Sequence, residues 1–430
     1  MIMTNANAIT SINIMKELEL ANKVLTSILT DDVSFKKALK EVFPFNSKDK
    51  EYTSVVSSLT GCELRHHLLF LEVAKVFSPE LTNEEKNLLL LALSNYYFLK
   101  KLPNDEVEAY LKEVLKDKYT EETASLFHKE GTASDLLTME KTSLDFISIR
   151  FNTPRWLIKM WAKHYGRGVA FRILKANSFP TKNMVRLNTL IEKDPAIDHK
   201  DLFLPSEVKD MYQYVGKMSL RKTEIFKNDG VFLLKPAIKE LFDQYVDPTL
   251  NEYTLYSGAD DSLFNEMIVR SELKKGINVV VPSIDKRLKM MRWIRTRKAK
   301  NINFFQADNL IAYQTGISNK QNLIVVNPIS SSFEKIRMYP DYLLHFKREE
   351  FDGIIATQKA VLNDMSTFVD NGGTLIYIVD TMNKKETIDV VNCFIAEHPD
   401  FSLVEQRQIF PFEKEDASLY YAVMKMKDND

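Results

Sequence analysis

Cysteine is nearly absent from this sequence, and its scarcity excludes two kinds of scaffold. The 430 residues include only Cys62 and Cys393, which stand far apart in the chain. Two such residues cannot form a disulfide framework, and they cannot supply a zinc site built mainly from thiolates. The sequence therefore predicts a reduced, cytoplasmic protein without a structural metal site.

A large net charge and a long apolar run are also missing. Lys and Arg number 58 against 59 Asp and Glu, which excludes a globally basic nucleic-acid binder but leaves local basic patches open. The longest apolar run, Leu88 to Leu93, is far shorter than the roughly 18 residues that suggest a membrane span. The first twenty residues lack the basic start and apolar centre of a signal peptide. We therefore predict neither a membrane-spanning nor a targeting segment.

The first third of the chain has the pattern of a helical domain. A chain of 430 residues exceeds what one hydrophobic core usually serves, so two or three domains are expected. From Ile14 to about Ile147 the apolar residues recur at helical spacing, which predicts five to seven helices and no strand. Thr82 and Glu85 have the spacing of a capping box ahead of one of these helices. Residues 1–148 are therefore predicted to form an all-α domain.

A basic stretch without acidic residues follows. Arg150 to Ile191 contains nine Lys or Arg, no Asp or Glu, and two of the three tryptophans. Thr153-Pro154 predicts a helix start, with Thr as the N-cap. Cations interleaved with aromatic rings suit a groove for single-stranded nucleic acid, but a solvated helix with buried tryptophans fits equally well. The candidate RNA-binding residues are Arg155, Trp156, Lys159, Lys163 and Arg186.

The last 180 residues or so have an α/β pattern. From Glu252, the short β-rich runs YTLYS, INVVVP, NINFFQ, NLIVVN, GTLIYIV and LYYAVMKM alternate with helical segments. This alternation predicts a mostly parallel sheet with helices on both faces, and the last run suits an antiparallel edge hairpin. In such a sheet, ligands bind beyond the carboxyl ends of the strands. The loops after Tyr256, Val281, Gln306, Val326 and Ile378 are therefore the places for a site.

In this order and spacing, several segments resemble the bacterial small-subunit ribosomal RNA cytosine-5 methyltransferase B (RsmB/NOP/Sun) family. They are KDKEYTSVVSSLTGCELRHHLLFLEVAK, LLLLALSNYYFLKKLPNDEVEAYLKEVLK, NTPRWLIKMWAKHYG, MVRLNTL, MYPDYLLHF, VDNGGTLIYIVDT and YYAVMKMK. The resemblance implies a helical domain similar to the antitermination factor NusB over residues 1–148. It further implies a small basic α/β segment for RNA recognition over 149–235 and a doubly wound, Rossmann-like methyltransferase domain over 236–430. S-adenosylmethionine is the cofactor, and ribosomal RNA the partner, that the resemblance implies.

The family methylates C5 of cytosine through a covalent adduct. A cysteine thiolate adds to C6 of the base, and a second cysteine assists release of the product. On the family's pattern the release cysteine falls on Ile329, the base-holding aspartate on Val326, and the nucleophilic cysteine on Asp380. Because none of these side chains can do the family's chemistry, no catalytic residue is predicted, and the resemblance implies a relative that has lost cytosine-5 catalysis.

The cofactor loop departs from the family in the same way. The family's glycine-rich loop corresponds here to residues 259–264, where side chains stand in place of glycines that let a cofactor approach. The acid that grips the ribose hydroxyls falls on Pro282. The remaining candidates for cofactor contact are Gly258, Asp260 and Asp308.

The sequence therefore predicts an RNA-binding relative of these enzymes, with two alternatives still open. The first is an active S-adenosylmethionine-dependent RNA methyltransferase with altered chemistry. It includes the exocyclic-amine type, whose Asn-Pro loop is partly matched by Asn327-Pro328. The second is a NusB-like module that binds a protein partner in transcription or ribosome assembly.

Overall fold

The computed structural model of this chain describes residues 2–77, 80–191, 201–246, 252–258, 262–271, 276–297, 302–306, 320–413 and 418–428. They form two compact units. The first contains Met1–Ser178 together with Lys335–Phe346, and the second contains Phe179–Glu334 together with Lys347–Asp430. No described helix is both long enough and apolar enough to cross a membrane.

Among its described residues, the first unit contains helices and connecting loops but no strand. Its helices are α1 (Ile2–Thr30), α2 (Phe35–Val42), α3 (Thr53–Phe77), α4 (Asn83–Ser94), α5 (Asn104–Leu115), α6 (Glu121–Ser125), α7 (Leu144–Arg150), α8 (Arg155–Tyr165) and α9 (Arg167–Asn177), with one-turn helices at Lys335–Met338 and Tyr342–His345. The predicted all-α region is thus confirmed. Its likeness to NusB stays a prediction.

Helix α4 illustrates how the sequence sets a helix boundary. Thr82 accepts a hydrogen bond from the backbone of Glu85, whose side chain bonds back to the N–H of Thr82. These paired bonds satisfy N–H groups that the first turn of a helix leaves without partners. The apolar run from Leu88 to Leu93 that follows is buried on every side, and so α4 lies at the centre of the helical core.

Helix α3 is broken in the middle, and a distant side chain repairs the break. His66 has non-helical angles, φ −124° and ψ 16°. Asn152 accepts a hydrogen bond from the N–H of Leu68 (3.0 Å) and donates one to the carbonyl of Leu64 (2.8 Å). Asn152 itself has φ 47°, a left-handed conformation that Asn tolerates better than most residues. The turn after α7 is thereby fixed to α3.

Helix α8 starts one residue later than the sequence pattern indicates. Arg155 is its first residue, Pro154 is the N-cap, and no side-chain hydrogen bond caps this end. The hydroxyl of Thr153 donates to the carbonyl of Phe151 instead. The predicted N-cap role of Thr153 is therefore wrong. Both α8 and α9, which the sequence grouped with residues 149–235, belong to the helical unit.

The second unit contains a small antiparallel sheet. Its strands are β1 (Asn183–Leu187), β2 (Phe203–Pro205), β3 (Met211–Tyr214) and β4 (Val231–Leu233), in the order β2-β3-β1-β4. Phe203, Tyr214 and Val185 are among the buried side chains of its core. These strands follow α8 and α9 in the chain, and a separate α/β segment with the bounds 149–235 stays a prediction.

The larger sheet has seven strands, in the order β10-β11-β9-β8-β5-β6-β7. These strands are β5 (Glu252–Ser257), β6 (Gly276–Val281), β7 (Ile302–Gln306), β8 (Gln321–Asn327), β9 (Val369–Val379), β10 (Phe401–Ile409) and β11 (Leu419–Met426). Strands β5, β6, β7, β8 and β9 are parallel to one another. β11 pairs with β9 in antiparallel orientation, and β10 pairs with β11 in the same way. The α-helices in the described part of this unit are Glu224–Lys227, Pro236–Tyr245, Ser262–Ser271, Ile284–Arg297, Phe351–Ser366 and Ile388–Glu397. This is the predicted Rossmann-like arrangement, and the fold class is confirmed.

Candidate functional site

The loops after β8 and β9 meet, as the carboxyl ends of neighbouring parallel strands should. The hydroxyl oxygens of Ser331 and Thr381 lie 2.6 Å apart. The amide of Asn327, at the end of β8, donates to the carbonyl of Ile378 in β9 (2.9 Å). Asn327 is fully buried. Its amide therefore holds two strands together and is not presented to a substrate, which removes the main support for the exocyclic-amine alternative.

A buried carboxylate organises these loops. Glu386 accepts hydrogen bonds from the N–H (2.7 Å) and hydroxyl (2.6 Å) of Ser331 and from the amide of Asn383 (3.0 Å). Burial raises its pKa, although the hydrogen bonds oppose that shift. Sequence reasoning missed both Glu386 and Ser331. The signal available was the run of three serines after Pro328, a place where a polar loop needs partners.

A second polar cluster lies at the start of the loop after β9. The ammonium of Lys235 contacts the carboxylate of Asp380 and lies 2.5 Å from that of Glu334. Asp380 is only 4% exposed, and Glu334 is 9% exposed. Lys235 directly precedes the helix Pro236–Tyr245, so three separate segments converge here. The lysine supplies positive charge to two nearly buried carboxylates.

The predicted release position is a surface residue. Ile329 is 43% exposed, while Val326 is fully buried within β8. Neither side chain can exchange a proton. Cys62 and Cys393 lie elsewhere, in α3 and in the helix Ile388–Glu397. Burial raises the pKa of the Cys62 thiol to about 11, which disfavours the reactive thiolate form.

Gly258 brings the end of β5 against the loop after β8. Its N–H donates to the carbonyl of Asn327 (2.8 Å), and a Cβ at this position would lie 3.0 Å from the Cα of Pro328. Its lack of a side chain therefore serves backbone packing. The neighbouring candidate Asp260 and the candidate Asp308 lie outside the described residues.

The described residues at this edge fit S-adenosylmethionine poorly. After β6, Pro282 has no side-chain acceptor for a ribose hydroxyl, and the hydroxyl of Ser283 accepts the N–H of Lys286 at the start of the next helix. The fold implies the cofactor, but this part of the structure supplies no carboxylate at the position that would hold it. No reaction step through the cofactor follows from the geometry.

The candidate RNA-binding residues on α8 differ in how accessible they are. Arg155, Lys159 and Lys163 recur every four residues and are exposed, so they share one side of the helix. Arg155 is paired with Asp145 at 2.9 Å. Trp156 is half-buried, and its ring lies 6.1 Å from that of Phe346. α8 thus presents a cationic stripe in which Lys159 and Lys163 have the most accessible charges.

Arg186 requires a correction. Although it was predicted to contact RNA, it is 5% exposed. Its guanidinium lies 3.1 Å from the carboxylate of Glu266 and 3.4 Å from that of Asp210. Glu266 is fully buried and also pairs with Arg270 at 2.8 Å, so removing Arg186 would take away one of the two guanidinium groups that compensate this carboxylate. The structure assigns Arg186 to the scaffold that joins β1 to the helix Ser262–Ser271.

Curated proteins with similar sequences are ribosomal RNA methyltransferases by name. The chain is similar to the probable ribosomal RNA small subunit methyltransferase B of Bacillus subtilis, with 26% identity over 257 residues that cover 58% of this chain and 57% of that protein. It is also similar to the ribosomal RNA small subunit methyltransferase B of Vibrio vulnificus, with 23% identity over 306 residues, 66% of this chain and 70% of that protein. The chain thus spans little more than half the length of the Bacillus relative. No protein-family model matches the chain.

Solved structures share the fold. The crystal structure of PH0851 covers 95% of this chain, which in turn covers 98% of PH0851, with a TM-score of 0.71 and 13% identity. The structure of NSun6 from Pyrococcus horikoshii with SFG matches 64% of this chain and 99% of its own length, with a TM-score of 0.55 and 12% identity. At such identities these structures support the fold alone.

The fold and the convergent loops define a Rossmann-like methyltransferase-type protein with a helical N-terminal region. The chain is similar in sequence to members of the RsmB/NOP/Sun family, and both curated relatives are small-subunit ribosomal RNA methyltransferases B by name. The family resemblance seen in the sequence is confirmed.

Proposed function

We propose that this chain is an RNA-binding member of its family that does not methylate cytosine at C5. The observation that supports the loss of catalysis is the setting of Asp380. This residue falls where the family resemblance expects a nucleophilic thiol, and its buried carboxylate is engaged with Lys235. A carboxylate is a much weaker carbon nucleophile than a thiolate, and the ion pair weakens it further.

The cationic stripe on α8 supports RNA binding. Lys159 and Lys163 present ammonium groups to solvent one helical turn apart, and no acidic residue occurs between Phe146 and Ile191. Such a surface attracts a phosphate backbone and releases its counterions. Ribosomal RNA is the target class that the names of the curated relatives suggest, and we adopt it for this chain. The reduced cysteines accord with action in the cytoplasm.

S-adenosylmethionine is the cofactor expected of the family, and we propose that this chain binds it weakly or not at all. Support comes from Pro282 at the end of β6 and from Gly258, whose space is taken up by the backbone of Asn327 and Pro328. Weak cofactor binding and the absence of a catalytic thiol would have the same consequence. The protein would recognise RNA without modifying it.

The test measures RNA binding and methyl transfer on the same preparations. Filter binding of a small-subunit ribosomal RNA transcript should show saturable affinity, and the Lys159→Glu/Lys163→Glu variant should lose most of it. Lys36→Glu/Lys40→Glu on α2 is the matched control, because both lysines are exposed and have the same spacing and charge. Incubation with tritiated S-adenosylmethionine should leave the RNA unlabelled. Equal affinities of the two variants, or labelled 5-methylcytosine in the RNA, would contradict the proposal.

A further inference from the structure

An open groove of about 820 Å³ runs along the helical unit between α7, α8 and α9. Its floor is aliphatic: Leu144 and Ile147 come from α7, Ile158 from α8, and Leu174 from α9. Ile158 and Leu174 are buried beneath it. Phe171 lines the groove on α9 and is 50% exposed, which is unusual for so large an apolar side chain.

The rim of the groove is positively charged. Lys159 and Arg167 belong to its lining, and Lys163 and Arg172 are exposed on the same two helices. The nearest acidic residue in the sequence, Asp145, is paired with Arg155. An occupant must therefore combine apolar side chains for the floor with negative charge for the rim.

A nucleic acid and an acidic protein segment both carry negative charge. The residues of the groove floor indicate which of the two fits. An unstacked nucleobase needs donors or acceptors along its edge and a flat ring to stack on. Here the uncharged lining offers only one polar side chain, Thr142. The ring of Phe171 already packs edge-to-face on Phe151, with centroids 5.5 Å apart. An aliphatic floor of this size instead suits the side chains that an amphipathic helix inserts at positions i, i+3 or i+4, and i+7.

The geometry points to this groove as the docking site for an acidic amphipathic helix of a protein partner. The inference goes beyond RNA binding and does not depend on it. Leucine-like side chains of the partner fill the floor beside Phe171, and its carboxylates meet Lys159 and Arg167. The charge pattern sets the specificity, because a basic helix of the same hydrophobicity would be repelled by the rim.

The test uses two fluorescein-labelled peptides and fluorescence anisotropy. The first, of roughly 16 residues, carries Leu at helical spacing with Glu on its other face. The second has Lys in place of every Glu. We expect the Glu peptide to bind and the Lys peptide to bind at least about tenfold more weakly. No binding of the Glu peptide, or equal binding of both, would overturn the inference.

Substitutions locate the binding to the groove. Phe171→Asp should weaken binding of the Glu peptide by about tenfold or more, as expected of an aromatic anchor. Phe179→Asp is the matched control, since Phe179 is 59% exposed and lies just beyond α9, outside the groove lining. Equal losses in the two variants would overturn the proposed location. Circular dichroism melting establishes that both variants fold.

A charge reversal gives an independent check. Lys159→Glu/Arg167→Glu should invert the preference, so that the Lys peptide binds more tightly than the Glu peptide. A labelled oligouridylate serves as the RNA probe. If Phe171→Asp weakens oligouridylate binding and leaves binding of the Glu peptide unchanged, the groove binds RNA and the inference is wrong. If the Glu peptide does not bind, the filter-binding test of RNA affinity is unaffected. The two proposals can therefore fail separately.

Discussion

The ammonium of Lys235 is in ion-pair contact with the carboxylate of Asp380, the residue that directly follows β9. The carboxylate of Glu334, from the loop after β8, lies 2.5 Å from the same ammonium. One lysine thereby ties together the two loops on which the family resemblance places its two cysteine positions, Ile329 and Asp380. In this chain those loops are held by charge pairing and by the hydrogen bonds to Glu386.

Replacing Lys235 should be costly. Lys235→Met would remove the ammonium group from the nearly buried carboxylates of Asp380 and Glu334, and breaking such a pair typically costs about 3–5 kcal/mol. We expect the free energy of unfolding, measured by urea denaturation, to fall by about 3 kcal/mol. Lys385→Met is the control, because Lys385 is exposed near the same loop. A loss below about 1 kcal/mol, the level of a surface pair, would contradict this account.

Glu386 should make stability depend on pH. Burial raises its pKa above the ordinary 4.5, so the folded protein binds this proton more tightly than the unfolded chain does. Its contribution to stability therefore falls as the pH rises from 4.5 through the folded-state pKa. Relative to the wild type, Glu386→Gln should become progressively more stable across that window, as measured by thermal melts at several pH values.

Glu121, an exposed carboxylate on α6, provides the comparison for that experiment. Glu121→Gln is measured at the same pH values as the matched variant against which Glu386→Gln is compared. If the difference for Glu386→Gln moves in the opposite direction, against the variant as the pH rises, the hydrogen bonds from Ser331 and Asn383 outweigh the cost of burying the charge.

Asn152 should stabilise the break in α3. Asn152→Gly removes the two hydrogen bonds to Leu64 and Leu68 but still permits φ 47°, and we expect a loss of about 2 kcal/mol. Asn152→Ala should cost roughly 1 kcal/mol more, because alanine is strained in the left-handed region. Urea denaturation of both variants checks the prediction. If the glycine variant were as stable as the wild type, water would bond the N–H of Leu68 and the carbonyl of Leu64 as well as Asn152 does.

The burial of Arg186 and its pairing with Glu266 have a measurable consequence. Lys163→Gln should reduce the slope of log affinity against log salt concentration by about 0.7 for a single-stranded RNA, because one phosphate contact is lost. Arg186→Gln should leave that slope unchanged and instead lower the free energy of unfolding by about 2 kcal/mol, because the charge-assisted hydrogen bond to Glu266 is lost while Arg270 still pairs with that carboxylate. A reduced salt slope with unchanged stability for Arg186→Gln would restore it to the RNA-binding surface.

Local patterns were enough to predict the large sheet. The run from Leu323 to Val326 is fully buried, and parallel strands covered on both faces are expected to have such continuous apolar runs. The capping box of Thr82 and Glu85 was equally visible, because all of its groups lie within four residues. By contrast, β2 contains only three residues, too few to show any periodicity.

The side-chain pairings of the site could not be predicted. Lys235 and Asp380 are 145 residues apart, and Arg186 and Glu266 are 80 apart, so no local pattern records either contact. Glu386 follows two lysines, which suggests an exposed turn, yet tertiary packing buries it completely. The acid-free stretch that suggested Arg186 as an RNA contact describes only the sequence around it. Its partners come from elsewhere in the second unit.

A calorimetric titration of the purified chain with S-adenosylmethionine measures whether the cofactor binds. If cytosine-5 catalysis and the cofactor site have been lost as proposed, the chain, with Pro282 at the ribose position and without the family's glycine-rich loop, should give no saturable heat at millimolar cofactor. Binding with a micromolar dissociation constant would contradict the account and would indicate an active methyltransferase with altered chemistry.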